Sequence, residues 1–110
     1  MTRDEIIARL VQLPGEIKQA DVQLLSRVDE SQRTRDFLVA REVSLTLIGL
    51  EGKNAEERKA KLTLETEQER YAVQKCESAV AAQRVELNAL RDEFSALRTV
   101  ATLLTGEAAS

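Results

Sequence analysis

The chain of 110 residues has 16 basic and 19 acidic side chains, a net charge of −3, no histidine, one cysteine and 3% aromatic residues. That length fits one domain; plentiful Ala, Leu, Glu, Arg, Lys and Gln favour helix, and scarce aromatic side chains argue against a sheet. Without histidine the commonest general base and metal ligand is missing, and one cysteine cannot form a zinc site of familiar spacing, so no catalytic residue, metal or cofactor is expected.

Thr2-Arg3-Asp4-Glu5 has the form of a capping box, with Thr2 as cap and Glu5 reaching back. It predicts a short first helix over 2–13, apolar at Ile6, Ile7, Leu10, Val11 and Leu13. Pro14-Gly15 is expected to end or bend it, because proline disfavours helix at the residue before it. A long helix is predicted over 16–48. Ile17, Leu24, Val28, Leu38 and Leu45 share one face of it, with Ala20, Leu25, Val39 and Ile48 beside them. Every residue from Asp29 to Asp36 is polar, which reads as a solvated helical stretch.

Gly49 and Gly52 mark a turn over 49–54. Asn54 and Glu57 form a second capping signature, opening a short helix over 55–64. Thr66-Glu67-Gln68-Glu69 is a third, placing a break near Thr66 and a last helix over 67–104. A single helix running on from Ala55 is the alternative. Gly106 is expected to stop the last helix and leave 105–110 as a loose tail.

The last helix carries a heptad seam: Val73, Cys76, Val80, Gln83, Leu87, Leu90, Phe94, Leu97, Ala101 and Leu104. Only Gln83 is polar, and such a stripe must bury itself against another helix. Cys76 fits the seam as a small hydrophobe. The expected fold is therefore all-α: a short N-terminal helix plus an antiparallel, coiled-coil-like hairpin of two long helices. The same stripe would serve an intermolecular coiled coil, so a homo-oligomer is also expected. Folding about the central turn would bring Leu45 near Tyr71 and Ile17 near Ala101. Gln83 would then meet Ser31 or Gln32 in a polar layer that fixes register.

Arg84, Arg91 and Arg98 flank the seam on one side and Glu86 and Glu93 on the other, a pattern expected to pair across helices. Lys53, Arg58, Lys59 and Lys61 form a polar contact tip, nearly neutralised by Glu51, Glu56 and Glu57, with a Glu57–Lys61 pair expected. Charges of both signs are interspersed throughout, so a basic face for nucleic acid is not favoured. No apolar run approaches the ~20 residues of a membrane span, and the N-terminus lacks a signal-peptide pattern. A cytoplasmic protein without membrane contact is expected.

The segment from Leu50 to Ala60, Leu-Glu-Gly-Lys-Asn-Ala-Glu-Glu-Arg-Lys-Ala, is followed by Leu87-x-x-Leu90-Arg91-x-Glu93-Phe94-Ser95-Ala96-Leu97-Arg98 and a closing Leu103-Leu104. Together these resemble small coiled-coil accessory proteins of tailed bacteriophages and prophages, over roughly residues 45–104. The resemblance implies a phage-encoded accessory factor in the host cytoplasm and carries no catalytic residues. The resulting expectation is a non-enzymatic protein that binds a host or phage protein, with Phe94 and Leu97 as anchors wherever the seam meets a partner. An accessory role in nucleic-acid replication or recombination, and a structural or assembly role, are the alternatives.

Overall fold

A computed structural model describes residues 1–109, the last three by their backbone alone. Among the described residues there are three helices and no strand: α1 (Arg3–Ile48), α2 (Ala55–Glu65) and α3 (Glu67–Ala109). The long helices α1 and α3 pack against each other. Contacts divide the chain into two units. The first joins Met1–Leu25 with the chain from Ala82 onward, and the second is Ser26–Ala81.

In the first unit the two helices run antiparallel. Arg9 of α1 meets Glu93 of α3, and further along α1 the Ala20 carbonyl meets Gln83. Ile6, Leu13, Ala20 and Leu87 are buried there, with Leu13 fully enclosed. Leu10, Ile17 and Leu24 are half-buried on the same stripe of α1. Ile17 thus lies between the levels of Glu93 and Gln83, not near Ala101 as the hairpin expectation had it. Ala101 instead lines a cleft with Arg3, Ile6 and Ile7.

Pro14 does not break α1, which corrects the short helix expected over 2–13 and the separate helix from residue 16. Proline lacks an N–H, so the Leu10 carbonyl loses its helical donor, at a cost of ~3 kcal/mol in a helix interior. Pro14 and Gly15 are exposed, while Leu13 immediately before them is enclosed. Burying a leucine side chain fully contributes roughly 1.5–3 kcal/mol. Ile6 and Ala20, seven residues to either side of Leu13, are buried as well and hold the helix on both flanks of the proline. Tertiary burial therefore overrides the local preference.

The second unit is also antiparallel. Arg35 bonds Glu77, Arg41 faces Glu69 at 3.7 Å, and Arg70 reaches Glu42 at 3.4 Å. Leu45 lies about one turn beyond the level of Arg70, toward Thr66, a small shift from the Tyr71 level expected. Ser31 is buried, and Thr34, Leu38 and Leu45 are half-buried. Val28, Val39 and Ile48, assigned to or beside the packing face, are exposed, as is Leu25 in the first unit. The true stripe runs through Ser31 and Thr34, inside the stretch read as solvated.

The break at Thr66 is present, but its hydroxyl does not cap α3. Thr66 Oγ1 donates to the Leu62 carbonyl at 2.8 Å and accepts from Arg70 Nε at 2.9 Å. α3 does not stop at Gly106 either. It continues to Ala109 through Glu107 and Ala108, good helix formers, which corrects the loose tail expected from residue 105. Ser110 lies outside the described residues. Replacing Pro14 with alanine restores a donor to the Leu10 carbonyl, and thermal unfolding followed by circular dichroism should show a gain of ~1–3 kcal/mol. An unchanged or lower melting temperature would mean that the proline geometry is itself required for packing Leu13.

Candidate interaction surface

The central turn is built from backbone requirements. Gly49 ends α1 with φ +97°, a left-handed conformation that suits glycine, and its N–H bonds the Leu45 carbonyl. Asn54 Oδ1 caps α2 by accepting from the Glu57 N–H at 2.8 Å. The Glu57 carboxylate turns back to accept the Lys53 N–H at 2.7 Å. Gly52 lies so close to the start of α2 that a Cβ there would sit 2.9 Å from the Arg58 backbone nitrogen.

The basic residues expected as a contact tip are all exposed, Lys53 on this turn and Arg58, Lys59 and Lys61 on α2. Arg58 Nη1 reaches the Gly52 carbonyl at 3.4 Å. Lys61 pairs with Glu65 at 3.4 Å rather than with Glu57, whose carboxylate is engaged by the turn. The tip therefore presents basic and acidic groups side by side, and of these Glu57 and Arg58 bond the turn backbone.

The seam residues lie on the inward side of α3. In the second unit Val80 is buried and Val73 and Cys76 are half-buried. In the first unit Gln83 and Leu87 are buried, while Leu90, Phe94, Leu97 and Ala101 are half-buried. Leu104 is exposed at 38%. Gln83 donates its amide to the Ala20 carbonyl at 3.2 Å, not to Ser31 or Gln32. Gln32 instead bonds Asp36 along its own helix. Phe94 carries the Arg98 guanidinium 5.8 Å from its ring centre.

Of the flanking charges, Glu93 accepts two hydrogen bonds from Arg9, both at 2.7 Å, and Arg9 also bonds Glu16 across Pro14. Arg91 lies 4.0 Å from Asp21. Hydrogen bonding from Arg9 holds the Glu93 carboxyl below the usual carboxylate range, and the same bond raises the Arg9 guanidinium.

Large apolar side chains other than Phe94 and Leu97 stand open on the second unit. Phe37 and Tyr71 are 63% and 66% exposed, and Leu47 and Ile48 are 82% and 78% exposed. Phe37 forms one wall of a shallow groove of about 350 Å³ with Thr34, Gln68 and Ala72. A signal for Leu47 and Ile48 is the charge-free stretch Val43–Leu50, whose only polar side chains are the hydroxyls of Ser44 and Thr46. Among the described residues no cluster of three His, Cys, Asp or Glu is placed to hold a metal, and no helix is long and apolar enough to cross a membrane. The chain matches no family model, no curated protein and no solved structure.

Two outcomes test this geometry. Gly52→Ala should destabilise by ~1–3 kcal/mol in a denaturant titration, because backbone at the start of a helix cannot retreat as a flexible side chain can. For Glu93 the sign follows from its lowered pKa: its contribution is full above the ordinary Glu value of about 4.3 and is lost as pH falls through the folded-state value. Glu93→Gln should therefore melt below the wild type at pH 7, with the two melting temperatures converging in acid. Parallel curves across that range would remove the ion pair from the account.

Proposed function

We propose that this protein is a non-enzymatic interaction protein, a phage-encoded accessory factor that engages a host or phage protein in the host cytoplasm. The observation that carries this reading is the second unit's apolar balance. It buries one apolar side chain, Val80, while Phe37, Leu47, Ile48, Leu64 and Tyr71 are each more than 60% exposed. Large apolar groups held open on helices are the raw material of protein interfaces, where aromatic and bulky aliphatic anchors carry most of the energy. The phage origin is supported by the resemblance of the turn and of the Leu87–Arg98 segment.

The interspersed charges weigh against nucleic acid as the main partner. The first unit and the second each carry both signs, and Arg9, Arg35 and Arg70 are paired with carboxylates on the opposing helix. Affinity capture with the tagged protein, from native or infected lysate with and without nuclease, tests the reading. A defined protein partner retained after nuclease and reproduced with purified components is expected. Recovery that disappears with nuclease would assign the protein to nucleic acid instead.

A further inference from the structure

Within the first unit a groove of about 760 Å³ runs between α1 and α3. Its floor is Ala20, which is buried, and Leu90, which is half-buried. A Cβ added at Gly15 would meet nothing within 4 Å, so the space over that stretch of backbone is open. Gln12, Gln19 and Gln23 stand exposed along the α1 side, at spacings of seven and four that share one helix face. Among the described residues these three amides make no hydrogen bond, whereas those of Gln32 and Gln83 do. Each offers two donors and an acceptor. The charged lining is acidic on both sides, Glu16 on α1 and Glu86 on α3. The first unit's ion pairs join Arg9 to Glu16 and Glu93, and Arg91 to Asp21, which leaves Glu86 without a cation among the described residues. Over Arg9, Glu16, Glu86 and Glu93, one guanidinium stands against three carboxylates, a net charge of −2.

Resting on the interaction reading above and deepening it, we infer that this groove docks an extended basic segment of a partner protein, about five residues long. Charge selects the sign of the occupant. Carboxylates on both walls favour Lys or Arg between them and repel an acidic segment. The free amides select its conformation. An extended chain leaves backbone N–H and C=O groups open to side-chain amides, whereas a helix has already bonded its own. The span agrees: Gln12 to Gln23 covers about 16 Å along α1, and five extended residues cover about 17 Å.

The test is a titration of the isotope-labelled full chain with the capped peptide Ala-Arg-Ala-Lys-Ala, read in two-dimensional amide spectra. Ala-Glu-Ala-Glu-Ala and an alanine-rich helical peptide bearing the same Arg and Lys are the comparisons. With the basic pentapeptide, the side-chain amides of Gln12, Gln19 and Gln23 and the backbone N–H of Gly15 should shift together and saturate. Glu86→Gln should weaken binding about threefold, the scale of an exposed charge pair. Gln12→Ala, Gln19→Ala and Gln23→Ala together should weaken it about tenfold. Alanine favours helix, so that variant keeps the fold, which circular dichroism checks. Asp92→Asn, at an exposed α3 position outside the groove, should leave binding unchanged. Absence of these shifts would overturn the inference. So would equal binding of the glutamate peptide, or an Asp92→Asn loss as large as that of Glu86→Gln. Tighter binding of the helical peptide would give the groove to a helix and overturn the extended occupant. A protein captured equally by wild type and by the triple glutamine variant would remove the groove and leave the interaction reading standing.

Discussion

Burial of one stripe of α1 against one stripe of α3 is the interaction on which the remaining features depend, and Leu13 shows how strongly it acts. The residue before a proline resists helical geometry, yet Leu13 is helical and fully enclosed. Ile6 and Ala20 are buried at the same spacing, so the stripe is continuous across a residue that would break an isolated helix. The Arg9 guanidinium, bonded to Glu93 on α3 and to Glu16 beyond the proline, ties the same region from its polar margin. Charge pairs at such a margin contribute modestly to stability. Their larger effect is on alignment, since a bidentate arginine accepts a narrow range of positions.

The two units solve the packing problem differently. The first encloses Ile6, Leu13, Ala20 and Leu87. The second places Ser31, Thr34 and Thr66 along its inner side, with Val80 as its one buried apolar side chain. Small polar residues let helices approach without supplying much transfer energy. The apolar residues that could have supplied it, Val43, Leu47 and Ile48 among them, face outward instead. A surface of this kind is a liability in an isolated chain and an asset in an assembled one.

Much of the α3 side of this arrangement was legible because a heptad pattern survives any detail of partner choice. The α1 side was less so. Leu24, Leu38 and Leu45 lie on the packing stripe as their spacing predicts, but Ser31 rather than Val28 fills the position seven residues from both Leu24 and Leu38. Hydropathy favours Val28, whereas the helical repeat favours Ser31, and a serine is small enough to be enclosed. The turn was legible in its caps, since Gly49 and Asn54 act through their own backbone and near neighbours. Pro14, Gly106 and the bond partner of Gln83 were not, because each depends on the opposing helix or on how far the helix propagates. The exposure of Leu47 and Ile48 escapes a reading that divides residues 43–50 between a packing face and a turn.

Thr66 shows why a unit with so little apolar core still has a defined arrangement. Its backbone departs from helix, with φ −109° and ψ 19°, and its side chain is fully enclosed. The hydroxyl donates to the Leu62 carbonyl and accepts from Arg70, and Arg70 in turn reaches Glu42 on α1. The end of α2, the start of α3 and the facing turn of α1 are thereby linked by directed bonds. Such a network is demanding, because a buried polar group left without a partner is costly. It can fix the register of the helices without covering apolar area. The fold is then specified by polar geometry at the break, while Val43, Leu47 and Ile48 at the end of α1 stay exposed.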